Sequence, residues 1–186
     1  RTLLVAGWAP YFRQDSAGAH AMFDEALGTA RANPEGDRWS EARALVALSM
    51  LEGEDGDEED SLRLAAEALA IAETARDRFS IAVAREAVGG TLRHMMRLDE
   101  AESHLDGAVD AFRELGARWE LASALTSRGI ARRLAGRAED AVTDLREAYR
   151  LCRELNERSI ITWTAGALAR ALVSAGDTGA AWRVLD

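Results

Sequence analysis

Lysine is missing from the 186 residues, and all 23 basic side chains are arginine. Arginine is therefore the only fixed cation available to a binding groove. Cysteine occurs once, at Cys152, so no intrachain disulfide can form. A lone cysteine fits a reducing, cytoplasmic setting, with Cys152 as a small apolar helix residue. Proline occurs twice, and aromatic residues make up only 6% of the chain. With few β-branched residues and a wealth of Ala, Leu, Glu and Arg, this composition predicts an all-α protein. No run approaches the roughly 18 apolar residues of a membrane-spanning helix. The opening "RTLLVAGWAP" leads into Pro10 and the polar "YFRQD", where a signal peptide would place a small-residue cleavage site.

Positive charge is also short overall. The formal net charge is −9, and no basic stripe is present to hold a nucleic-acid backbone. Motifs that carry chemistry are absent as well: no phosphate loop, no H-E-x-x-H, no G-x-S-x-G. His20, His94 and His104 share no metal-ligand spacing. "LEGEDGDEED", residues 51–60, packs seven carboxylates into ten positions. No frame of it supplies the liganding pattern of a calcium loop. No cofactor, metal or catalytic residue is expected.

What the chain does have is a period. "RWSEARALVALS" begins at Arg38, "RFSIAVAREAVG" at Arg78, "RWELASALTSRG" at Arg118 and "RSIITWTAGALA" at Arg158, each 40 residues after the last. Aligned on these starts, the sequence falls into columns. Ser49, Gly89, Gly129 and Ala169 form a small one, and Gly56, Met96, Gly136 and Gly176 another. Ser61, Ala101, Ala141 and Ala181 follow, then Ala65, Leu105, Leu145 and Leu185, then Ala68, Ala108 and Ala148. If "NPEGD" is a turn longer by two residues, Gly7, Ala19, Phe23 and Ala26 join the same columns.

Ala101, Leu105, Ala108, Phe112 and Leu115 step by four, three, four and three, which is one face of an α-helix. Leu121, Leu125, Gly129 and Arg132 behave likewise. Each unit therefore reads as a helical hairpin, with turns near Gly56, Met96, Gly136 and Gly176. The expected units are 1–37, 38–77, 78–117, 118–157 and a truncated 158–186. Glycine within a helix costs about 1 kcal/mol against alanine, so Gly89 and Gly129 predict close crossing of the two arms. "LEGEDGDEED" then becomes a turn, with Asp57 to Asp60 at a helix N-terminus where the macrodipole favours acid.

"GRAEDA" (136–141) and "GDTGAA" (176–181), each opening a second helix, resemble the tetratricopeptide repeat. The spacing is similar to the forty-residue variety found in LuxR-type and AfsR-like bacterial regulators. The resemblance covers essentially the whole chain. It implies an α-solenoid, a right-handed superhelix of about five hairpins whose first helices line a concave groove for a peptide, a protein segment or a small effector. The family's large aromatic late in the first helix is replaced by Pro10, Glu52, Leu92, Arg132 and Leu172, and a mid-helix proline at position 10 would kink the first unit.

The groove face that the resemblance implies includes Val83, Glu86, Gly90, Arg93 and His94. Ser123, Thr126, Ile130, Arg133 and Leu134 come from the next unit, and Trp163, Gly166 and Arg170 from the last. Where some relatives clamp a terminal carboxylate, this chain has Val46, Met50, Glu86 and Gly90. Arg93 and Arg133 share one column of adjacent units. Two roles are open to them: holding an acidic ligand bidentately, or pairing with a neighbouring glutamate in solvent. Trp39, Phe79 and Trp119 form another column, expected to pack into the joints between units.

The expectation is thus a non-enzymatic interaction or sensor module of a bacterial transcription regulator or signalling ATPase. Its partners would be a protein or peptide segment, other domains of the same chain included. A stand-alone adaptor or scaffold is the alternative. The chain begins without Met and stops inside a helical pattern, as a fragment of a longer protein would. Self-association through Ala181, Trp182 and Leu185 at that end is expected too.

Overall fold

A left-handed residue interrupts the helical backbone every twenty residues. Positive φ occurs at Gly56, Arg76, Met96, Gly116, Gly136, Asn156 and Gly176 among the described residues. The computed structural model describes residues 4, 8–10, 13, 15–33, 37–156 and 158–185. Between the left-handed positions run α1 (Ser16–Ala32), α2 (Arg38–Asp55), α3 (Glu58–Ala75), α4 (Arg78–His94), α5 (Leu98–Leu115), α6 (Arg118–Leu134), α7 (Ala138–Glu154), α8 (Arg158–Ser174) and α9 (Thr178–Leu185). No strand occurs among the described residues. The fold is an all-α array of helical hairpins, of the α-solenoid class.

The turns close in one way. After α4, the Met96 N–H donates to the Arg93 carbonyl and the Arg97 N–H to the Leu92 carbonyl. After α6, Gly136 and Arg137 repeat this on Arg133 and Arg132, as Gly176 and Asp177 do on Val173 and Leu172 after α8. These bonds satisfy carbonyls that a helix end would otherwise orphan, and the left-handed residue permits them. The turns at Gly56, Met96, Gly136 and Gly176 stand where the sequence placed them.

The acid-rich stretch is a turn and a cap. Asp57 accepts from the Asp60 backbone N–H at 2.9 Å, and Glu58, Glu59 and Asp60 fill the first turn of α3. Asp37 and Asp177 cap α2 and α9 in the same manner. By contrast, Arg97, Ala117 and Arg137 occupy the equivalent positions before α5, α6 and α7 without a side-chain cap.

Two compact units divide the chain, Arg1–Thr91 and Leu92–Asp186. In the first, α2 packs on α1 and on α3. Ala44, Leu45, Ala65 and Ala68 are fully buried there. Arg31 on α1 pairs with Glu41 on α2 and Glu67 on α3, at 3.2 and 2.5 Å. In the second unit, α6 packs on α5, α7 and α8, and α8 packs on α7 and α9. Leu105, Phe112, Leu125 and Leu145 are fully buried in it. The alanine columns at 101, 141 and 181 and at 108 and 148 lie inside. Small side chains there let helix axes approach, while each buried leucine contributes about 1.5–3 kcal/mol.

Gly129 has the predicted reason for being glycine. A Cβ on it would stand 2.6 Å from Leu145 Cγ and 3.2 Å from the Ala141 carbonyl of α7. Gly89 is buried as well.

Pro10 is helical, and its carbonyl accepts from the Arg13 and Asp15 N–H groups at 2.9 and 3.0 Å. Close by, Trp8 meets Phe23 edge-on at 5.3 Å. Gly7 and the middle of the expected "NPEGD" turn, residues 34–36, lie outside the described residues. Trp39 and Phe79 are half-buried, whereas Trp119 is 43% exposed. Trp119, at the start of α6, is the most exposed of the three.

Candidate functional site

Helix α6 turns by about 100° per residue, so neighbouring positions on it face different environments. Arg128 and Arg132 look toward α5 and α7. Arg128 Nε and Nη2 grip Asp144 at 2.9 and 2.7 Å, and Nη1 donates to Asp106 at 2.8 Å. Arg132 donates to Asp144 at 2.9 Å and to Glu102 at 2.8 Å. Arg137 closes the cluster on Glu102. Asp144 is only 3% exposed overall, yet it accepts three charged hydrogen bonds.

Electrostatics follow from the pairing. Burial works against the Arg128 charge, but Asp144 and then Asp106 outweigh it, and its pKa is raised. Glu102 is held below the usual carboxylate range, chiefly by the hydrogen bond from Arg137 and further by Arg132. The cluster is a polar rivet between three helices, with its donors matched to carboxylates.

Arg133, one residue beyond Arg132, has no such company. It makes no hydrogen bond or ion pair among the described residues, and its Nε–H is shielded from solvent with no acceptor. Arg93, forty residues earlier in the last turn of α4, repeats the pattern. Its Nε–H is likewise shielded and unmatched, and Nη2 donates to His94 Nε2 at 2.6 Å. Burial without a carboxylate pushes the Arg93 pKa down to about 10. The equivalent position in the α2 hairpin is Gly53 and in α8 Val173, so the pair is confined to two helices. Pairing with a neighbouring glutamate, one of the two roles open to these arginines, is not what the structure has.

The remaining expected residues lie on α8. Trp163 is 37% exposed, and Arg170 is exposed a turn before the helix ends. No hydrogen bond or ion pair joins Trp163, Arg170 or Arg133 to the Arg93–His94 pair among the described residues. Thr126 and Ile130, placed on the groove face by resemblance, are core instead. Thr126 is fully buried and shares a 3.0 Å hydroxyl contact with Thr164 of α8. Val83 is buried too. Of the face that the resemblance implies, Glu86, Gly90, Arg93, Ser123, Arg133, Leu134 and Gly166 are half-buried, and His94, Trp163 and Arg170 are exposed.

The rivet was not anticipated, although a signal for it exists. Positions forty and eighty away from Arg128 hold Leu48, Val88 and Leu168, and those from Asp144 include Leu64 and Val184. Arg128 breaks an otherwise apolar column, and Asp144 stands in one that holds His104 besides Leu64 and Val184; a charge of each sign in one unit points to an internal ion pair. A separate concavity of about 680 Å³ lies between α7, α8 and α9. Leu168, Leu172 and Val184 floor it, and Arg146 and Arg183 stand at its rim. No cluster of metal-ligating side chains occurs among the described residues, and no described helix is long and apolar enough to cross a membrane.

Residues 80–154 match the family model of the tetratricopeptide repeat. No curated protein matches the sequence. Among solved structures, a Rap protein complexed with competence and sporulation factor superposes with a TM-score of 0.85 at 16% identity, over 98% of this chain and 50% of that one. The Rap conjugation gene regulator of plasmid pLS20, in complex with a Phr peptide, gives 0.80 at 20% identity, over 98% and 50%. BtubC from P. vanneervenii gives 0.79 at 18% identity, over 99% and 76%. The likeness is one of fold, and this chain spans half the length of the two Rap structures.

Proposed function

We propose that the chain is a non-enzymatic protein-interaction and sensor module of the tetratricopeptide type. It takes a peptide or an extended protein segment, which can come from another domain of its parent chain. The face used is the one carrying Arg93, His94, Arg133, Trp163 and Arg170. The observation that carries this reading is an exposed aromatic on a first helix, Trp163 of α8, together with unmatched donors on Arg93 and Arg133 of two other first helices. Amphipathic aromatics and arginines are the side chains that most often anchor partners. Likeness to Rap proteins solved with a bound factor or peptide supports the choice of ligand class. The forty-residue helix spacing supports a place among the longer tetratricopeptide repeats, and with it the setting of a cytoplasmic bacterial transcription regulator or signalling ATPase.

Panning a random peptide display library on the whole chain tests this. Enriched peptides are expected to bind saturably, and Trp163→Ala to weaken them at least about tenfold, as loss of an aromatic anchor does. Failure to enrich any peptide, or peptides indifferent to Trp163, contradicts the reading.

A further inference from the structure

Two arginines in one register, on neighbouring first helices, each keep an Nε–H that nothing in the described protein accepts. In a chain with 32 carboxylates against 23 arginines, acceptors are plentiful. The rivet on the other side of α6 shows what a filled guanidinium looks like here: Arg128 holds the two Asp144 oxygens through Nε and Nη2. Arg133 has that same edge free. Arg93 lends Nη2 to His94 and keeps Nε. A guanidinium half-withdrawn from water with a shielded, unmatched donor costs free energy in the unliganded protein. Burial has already lowered the Arg93 pKa to about 10. A small rotation about the arginine side-chain bonds, with a carboxylate brought to the edge, would remove that cost. The Nε–Nη2 edge pairs bidentately with carboxylate and phosphate alike, and carboxylate is the acid that an unmodified peptide carries.

We infer that Arg93 and Arg133 form a subsite for acidic side chains of an extended peptide, each guanidinium taking one carboxylate. The inference rests on the peptide-binding reading and adds to it the chemistry of the peptide. First helices of successive hairpins pack on one another, as α6 and α8 do, and packed helices run about 8–10 Å apart. A peptide in the polyproline II form, with three residues per turn and about 3.1 Å per residue, covers that in three residues and presents i and i+3 on one side. The fitting peptide therefore carries Asp or Glu at i and i+3.

The test uses the whole chain and two C-terminally amidated random decapeptide libraries, identical except for two fixed positions three residues apart. One library has Glu at both, the other Gln. At low salt the chain should retain the Glu library about tenfold or more over the Gln library, the scale of a charge-assisted pair. The Arg93→Met/Arg133→Met variant should show no preference between the two libraries. Equal retention of both libraries by the parent overturns the acidic subsite while leaving peptide binding standing. So does a Glu preference that survives in the double variant. Retention of neither library overturns both readings. Circular dichroism of the double variant, expected to match the parent, separates loss of preference from loss of fold.

Discussion

The two sides of α6 use the same side chain for opposite ends. Toward α5 and α7, Arg128 and Arg132 have their donors filled by Asp144, Asp106 and Glu102, all from the same compact unit. About 100° further round the helix, Arg133 is matched with nothing, and Arg93 of α4, bonded to His94 through Nη2, likewise keeps an unmatched Nε–H. Filled arginines hold helices together. Unfilled ones are a standing cost that a sequence selected for stability alone would shed. The difference teaches that charge on this helix is divided between guanidinium groups matched to carboxylates and one left unmatched, and that the division can be read from partners, not from residue type.

The largest expected effect lies on the filled side. Asp144→Ala should cost about 3–5 kcal/mol in urea unfolding, because two arginines lose their buried counter-charge together. Replacing the core of the rivet by the residues its column holds elsewhere, as Arg128→Leu/Arg132→Leu/Asp144→Leu, should restore stability to within about 1 kcal/mol of the parent or raise it. If the triple variant is as weak as Asp144→Ala, the slots are not interchangeable with those of Leu48, Leu168, Leu172 and Leu64.

A smaller effect is expected where α6 meets α7 on its third side. Gly129→Leu should lose about 1–3 kcal/mol by overpacking, although leucine is the better helix former. A melting temperature at or above the parent's would show that Leu145 yields, and that close crossing does not explain the glycine.

The smallest concerns the turns that follow the two unfilled arginines. The turn after Arg133 has Gly136 in the left-handed conformation, whereas the one after Arg93 has Met96, 59% exposed. A side chain in that region costs about 1 kcal/mol. Met96→Gly should therefore stabilise by up to about 1 kcal/mol in the same unfolding measurement. A loss instead would mean that the Met96 side chain contributes packing which its exposure hides.

Most of the fold was legible because its signals are local and repeat. The 40-residue columns mark the buried alanines, and glycine marks the turns at 56, 136 and 176. The second set of left-handed residues was not legible. Arg76, Gly116 and Asn156 form a column with a single glycine in it, so no residue type announced the conformation. For the site, the shared register of Arg93 and Arg133 was visible in the sequence. Whether they were paired was not, since that depends on which acids neighbouring helices present. Thr126 shows the same limit: the family resemblance put it on the groove face, and its contact with Thr164 of α8 put it in the core.

The division of charge on α6 is tested most directly by comparing the urea unfolding of two variants. Arg128→Met removes a filled arginine and should lose about 3–5 kcal/mol. Arg93→Met/Arg133→Met removes the unfilled pair and should unfold at the parent's midpoint or above it, since two unmatched donors leave the fold with no acceptor stranded. A double variant that loses as much stability as Arg128→Met would mean that the unfilled arginines hold the structure after all, and would contradict the account.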